Sequence, residues 1–199
     1  HCKPGCLQSP ARSDYLLCLP VLEGHPPLPV AIIEAKKENS SCTLGLQQAQ
    51  NYAKRFNVPF AFSTNGKLHS EFGLDKGTII EYDQLTNFPT PQELLLRYEK
   101  YKDINLKSEE ARALLIRYKT GEATRFYYQD AAIRAILERI AQGEKKVLLC
   151  LATGTGKTFI AKELLWKMAK AGHIRRALFL VDRDELRTQA LTHLQGIFG

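Results

Sequence analysis

The stretch Ala152-Thr153-Gly154-Thr155-Gly156-Lys157-Thr158 constrains this chain more than any other, because it stands between a short apolar run (147–151) and a segment of helix-forming composition (157–171). At a helix start, successive backbone N–H groups point the same way and can cradle the β- and γ-phosphates of a nucleotide. Lys157 can reach the phosphate oxygens and the Thr158 hydroxyl can ligate Mg²⁺. Thr153, Gly154, Thr155, Gly156, Lys157 and Thr158 are therefore the expected contacts of ATP and its ion. A glycine-rich turn with a solvated lysine has the same composition, but it does not require a strand before it and a helix after it. A second apolar run (177–181) follows, which predicts a strand-helix-strand unit with parallel strands. The strict phosphate-loop pattern has glycine at position 151, where this chain has Leu151.

Upstream, Arg125-Phe126-Tyr127-Tyr128-Gln129 leads into a helix expected over 129–142, with apolar positions Ala132, Ile133, Ile136, Leu137 and Ile140 and Gly143 as its C-terminal cap. A glutamine amide carries the paired donor and acceptor that read adenine. Gln129 is also a residue that any helix N-terminus accommodates. Downstream, Leu180-Val181-Asp182-Arg183 leads to Leu186 and Gln189, and Arg183 is either a DNA phosphate contact or a solvated loop charge. Together these segments resemble the motor of superfamily 2 helicases, including its variant loop with a residue other than glycine at position 151. The resemblance implies that Gln129 reads adenine and that the segment with Arg183 is motif Ia, against the DNA backbone.

The first ninety residues follow a different pattern. Two apolar runs too short for helices (15–19 and 29–35) flank the turn-rich Glu23-Gly24-His25-Pro26-Pro27 and read as paired antiparallel strands. A helix is expected over 44–56. Strands over 58–63 and 67–72 follow, joined through Thr64-Asn65-Gly66, where Asn-Gly supplies positive backbone angles. Asp14 stands before the first strand and Glu34-Ala35-Lys36 ends the second. Glu34 and Lys36 share a face because side chains on a strand alternate. Two carboxylates can hold Mg²⁺, and the ion with Lys36 favours hydroxide formation beside a scissile phosphate. A solvated, charged strand end would show the same spacing.

The apolar strand Ile32-Ile33 delivering Glu34 and Lys36, placed before a helicase-like region, resembles the PD-(D/E)xK nuclease domain of the restriction subunits of type I restriction-modification enzymes. Gln48-Ala49-Gln50-Asn51-Tyr52 matches that family's Gln-x-x-x-Tyr element, and 58–66 is similar to its next strand and hairpin. The resemblance spans about 12–195 and implies metal ligands Asp14 and Glu34, catalytic Lys36, and Gln48 and Tyr52 beside the metal or DNA. It also implies a double-stranded DNA substrate, cleavage coupled to ATP-driven translocation, and methylation (M) and specificity (S) subunits as partners. Family members carry a longer region before the residue matching Asp14. An acidic pair for ATP hydrolysis and a second motor lobe do not follow 180–189 within the 199 residues, so ATPase and nuclease activity are expected of a longer parent, and this chain is expected to be a piece from near its N-terminus.

The expected fold class is α/β: a PD-(D/E)xK nuclease-like mixed sheet (1–89), a charged helical connector (90–122) and the beginning of a RecA-like parallel domain (123–199). In the connector, Thr90-Pro91-Gln92-Glu93 starts one helix and Ser108-Glu109-Glu110 a second. A net charge of +7 suits a polyanionic partner without selecting one. Five scattered cysteines fit a reducing cytoplasm; Cys150 is expected to pack within its strand, and Cys2 and Cys6 are not expected to hold zinc. No run is long enough to span a membrane. Two other readings stay open: a superfamily 2 helicase whose N-terminal domain only binds DNA, and an inactive truncated remnant.

Overall fold

The computed structural model describes the strand at 2–4 and residues 13–73, 77–82, 85–119, 126–181, 191, 192 and 195. A six-stranded sheet is built in chain order from β1 (Cys2–Pro4), β2 (Tyr15–Leu19), β3 (Leu28–Ala35), β4 (Phe60–Thr64), β5 (His69–Gly73) and β6 (Ile79–Tyr82). Only β3 and β4 run parallel; every other neighbouring pair is antiparallel. A parallel pair needs a crossover, and α1 (Leu46–Phe56) supplies it. This is the strand, strand, helix, strand, strand order expected from the sequence, with β1 and β6 added at the edges.

The two faces of the sheet are covered differently. Ile32 and Ala61 pack against Ala49, Ala53 and Phe56 of α1. On the other face, Ala31, Phe60 and Phe62 share a larger cluster with Leu94 and Tyr98 of α2 (Pro91–Lys102), with Leu114 and Leu115 from the segment after it, with Ile133 and Leu137 of α3 (Tyr127–Ala141), and with Ile160 of α4 (Lys157–Lys170). One core thus runs from the sheet to the phosphate-loop helix. Among the described residues, no helix is long and apolar enough to cross a membrane.

Several local expectations change. The helix expected from Ser108 is only a short 3-10 turn, Arg112–Leu115, held by three-residue bonds such as Arg112 N–H to Glu109 O at 3.1 Å. Ala113, Leu114 and Leu115 are all buried. Segment 90–122 is therefore not merely a charged connector, because Leu94, Tyr98, Leu106, Leu114 and Leu115 sit in the core. In the β4–β5 hairpin only Gly66 has positive φ (+89°); Asn65 acts through its side chain, whose Oδ1 accepts from the N–H of Lys67 at 3.1 Å and of Leu68 at 2.9 Å.

The largest departure concerns 147–151 and 177–181. Neither forms a strand among the described residues, and Leu148 is 93% exposed and Leu178 83%. A strand is not a local structure: without neighbours to take its N–H and C=O groups, an apolar run stays uncovered. Cys150, expected to pack, is exposed for the same reason.

Candidate active site

β3 and β4 deliver the nuclease candidates to one edge of the sheet. The ladder continues one residue past β3, with Lys36 N–H donating to Thr64 O at 2.7 Å, so Glu34 and Lys36 keep strand alternation and share a face. Asp14 enters from the start of β2. Its Oδ2 accepts the Ala35 N–H at 2.9 Å, while Glu34 Oε1 accepts the Asp14 N–H at 3.2 Å. Lys36 Nζ lies 3.7 Å from Glu34 Oε2 and donates to Gln48 Oε1 at 3.1 Å. Asp14, Glu34, Lys36 and Gln48 are thus brought together. Tyr52, one turn beyond Gln48, packs against the apolar cluster of Ile32 and Ala49, with the Arg55 guanidinium 6.0 Å from its ring centre.

Glu34 is 1% exposed. Burial pushes its carboxyl above the ordinary carboxylate range and the nearby Asp14 charge adds to this, while the Asp14 N–H and the Lys36 ammonium pull the other way. Among the described residues no three His, Cys, Asp or Glu side chains cluster around a common point. The donor set is two hard carboxylates at one strand edge. Mg²⁺ usually takes one or two carboxylates and keeps several waters, so these residues fit that ion.

The phosphate loop is shaped by Gly154 (φ +79°) and Gly156 (φ +86°), with α4 starting at Lys157. Lys157 Nζ donates to the carbonyls of Leu151 at 3.1 Å and Ala152 at 3.0 Å, and Thr155 Oγ1 donates to Ala152 O at 2.7 Å. Thr153 and Thr158 are exposed on either side. Gln129, at the third position of α3, is buried. Its Oε1 accepts the Phe126 N–H at 3.2 Å and its Nε2 donates to Thr155 O at 3.2 Å. A Cβ on Gly156 would lie 2.6 Å from Gln129 Nε2, so a side chain there would displace the Gln129 amide, and the positive φ itself favours glycine.

A family model described as "Type III restriction enzyme, res subunit" matches residues 122–199. The chain is 35% identical over 187 residues to the Escherichia coli type I restriction enzyme EcoAI endonuclease subunit, covering 90% of this chain and 22% of that subunit. It is 27% identical over 212 residues to the EcoKI endonuclease subunit of E. coli strain K12, covering 82% of this chain and 18% of that subunit. Among solved structures, it matches a fragment assigned to the HsdR subunit of a type I restriction enzyme from Vibrio vulnificus YJ016. That match has a TM-score of 0.69 and 38% identity, over 82% of this chain and 29% of that one. Over most of its length the chain is similar to the endonuclease subunits of type I restriction enzymes.

It spans about a fifth of the length of the type I endonuclease subunits it matches. Arg183, expected at the DNA backbone, lies outside the described residues, as do Cys6 and the side chain of Cys2. Two residues at the strand end that carries Glu34 were not singled out from the sequence. Gly45 closes over Glu34 and Lys36, and Ser63 is paired with Glu34 across β3 and β4. A signal for Ser63 was present: a serine sits where an alternating buried strand would place an apolar side chain.

Proposed function

We propose that this chain carries the nuclease centre and the first nucleotide-binding elements of a type I restriction endonuclease subunit, which cleaves double-stranded DNA with Mg²⁺ and couples cleavage to ATP-driven translocation. The observation that supports this most directly is the convergence of Asp14, Glu34, Lys36 and Gln48 through hydrogen bonds and an ion pair. In this reading 1–89 is the nuclease unit, 90–122 the link and 123–199 the opening of the motor. The subunit works in the cytoplasm with methylation and specificity subunits.

Asp14 and Glu34 hold the ion. When bound, it supplies a polarised water and neutralises charge at the scissile phosphate. Glu34 must be ionised to do this, against the cost of its burial. Lys36, oriented by Gln48, places an ammonium beside the phosphate and offsets the charge that builds there. Tyr52 holds α1 against the sheet, so that Gln48 keeps its aim. At the second centre Thr153, Gly154, Thr155, Gly156 and Lys157 cradle the phosphates, and Lys157 exchanges its loop carbonyls for phosphate oxygens. Thr158 offers a hydroxyl to Mg²⁺, and Gln129 fastens the loop beside the adenine site. Arg183 contacts the DNA backbone.

The test is plasmid cleavage by the subunit assembled with its methylation and specificity partners. Cleavage should need Mg²⁺ and be lost in Glu34→Ala and Lys36→Ala. Full cleavage in either variant contradicts the nuclease assignment and favours a helicase whose N-terminal part only binds DNA.

A further inference from the structure

Ser63 Oγ is fully buried and has no hydrogen-bond partner among the described residues. Two other hydroxyls of the same hairpin have partners: Ser70, paired with Ser63 across β4 and β5, has its Oγ 2.9 Å from Cys42 Sγ, and Thr64 Oγ1 donates to Leu68 O at 2.8 Å. A buried hydroxyl without a partner costs free energy that alanine would avoid, so its retention calls for a reason.

The surroundings supply one. Ser63 is in register with Glu34 on the parallel pair β3–β4, which puts both side chains on the α1 face. A Cβ on Gly45 would lie 2.5 Å from Ser63 Oγ, 2.7 Å from Lys36 Cε and 3.0 Å from Glu34 Cβ. Gly45 has φ −86°, an angle any residue adopts, so a glycine stands there for space alone. The hydroxyl, the lysine stem and the glutamate therefore converge beneath a bare backbone. The longest polar contact in this group is Lys36 to Glu34, at 3.7 Å.

A divalent cation drawn onto Asp14 and Glu34 would repel the Lys36 ammonium but not a neutral hydroxyl. We propose that Ser63 is a positioning residue of the nuclease site: with a divalent cation bound, its hydroxyl donates to the Glu34 carboxylate in place of Lys36, which frees the ammonium for the DNA phosphate. This rests on the nuclease reading of Asp14, Glu34 and Lys36.

The experiment measures Mg²⁺ binding to the 199-residue chain by calorimetry, together with the rise in Tm that Mg²⁺ causes. Wild type is compared with Ser63→Ala, Ser63→Thr and Glu34→Ala. Without Mg²⁺, Ser63→Ala should be at least as stable as wild type, because it loses an unpaired hydroxyl. With Mg²⁺, its affinity should fall about tenfold, equivalent to about 1.4 kcal/mol, and its Tm increment should shrink. A purely structural serine would not change that increment. Ser63→Thr restores the hydroxyl and should restore the affinity. If its methyl prevents folding, Ser63→Cys keeps the shape with a weak donor and should bind as weakly as Ser63→Ala. Wild-type affinity in Ser63→Ala or Ser63→Cys, with binding lost in Glu34→Ala, overturns the role of Ser63 and leaves the nuclease reading standing. Absence of any Mg²⁺ response in wild type overturns both.

Discussion

Asp14 and Glu34 each fasten the other's strand: the Glu34 carboxylate accepts the Asp14 N–H at 3.2 Å, and the Asp14 carboxylate accepts the Ala35 N–H next to Glu34 at 2.9 Å. Two acidic groups are thereby locked at one sheet edge, where their mutual repulsion opposes folding and a cation relieves it.

The pH dependence follows from Glu34. Its folded-state pKa is raised above 4.5, first by burial. A group shifted this way stabilises the fold below its unfolded pKa, and that contribution is lost as pH rises through the folded value. Glu34→Gln removes the cost of ionisation, so its Tm relative to wild type should be higher at pH 7 than at pH 4. Thermal unfolding across that range checks it; a relative Tm that falls from pH 4 to pH 7 contradicts the account. Mg²⁺ affinity in the wild type should weaken on acidification through a pH above the ordinary Glu range, because the ion needs the ionised carboxylate.

A second buried carboxylate ties α3 to α2 and to the C-terminal end of α1. Glu138 on α3 accepts from Tyr98 OH and Lys102 Nζ of α2, each at 2.6 Å, and from Asn57 Nδ2 after α1 at 3.1 Å. Burial, then the Glu138 charge, holds the Tyr98 phenol well above its ordinary range, so it stays a donor at every working pH. Glu138→Ala leaves Lys102 without its carboxylate and should cost ~3–5 kcal/mol, whereas Tyr98→Phe should cost ~1–3 kcal/mol. Urea unfolding measures both. A cost below ~1 kcal/mol for Glu138→Ala would mean that the hub does not hold these helices together.

Gln129 braces the phosphate loop from outside through the Thr155 carbonyl. In Gln129→Ala that carbonyl and the Phe126 N–H lose their partners, and the loop should sample more conformations. Mg²⁺-ATP should bind about tenfold more weakly, a loss of about 1.4 kcal/mol, with the fold retained. Titration with nucleotide tests this, and unchanged affinity would leave Gln129 no part in the loop.

Legibility in the sequence tracked how local each feature is. The bounds of β2 and β3, the Thr90–Glu93 capping box and the cap at Gly143 depend on neighbouring residues and could be read directly. The role of 90–122 could not, because Leu94, Tyr98, Leu106, Leu114 and Leu115 reach the core at irregular spacing set by the sheet they cover. Runs 147–151 and 177–181 carry strand composition, yet their strands depend on partners the described residues do not supply. In the site, strand alternation put Glu34 and Lys36 on one face, while Asp14 and Gln48 were singled out with the help of the family resemblance. Ser63 and Gly45 were not, because their significance lies in a close approach between segments distant in the chain.

The central claim is that two separate centres occupy one chain, and it is tested most directly by comparing wild type, Lys157→Ala and Glu34→Ala in the full-length subunit. ATP hydrolysis, DNA translocation and DNA cleavage are measured side by side. Lys157 is the first residue of α4 and Glu34 lies near the end of β3, and the hydrogen bonds and ion pair of each stay within its own site. Lys157→Ala should abolish hydrolysis, translocation and the cleavage that depends on them, while Mg²⁺ binding at the nuclease site persists. Glu34→Ala should lose cleavage alone. Hydrolysis surviving in Lys157→Ala, or disappearing in Glu34→Ala, would contradict the account.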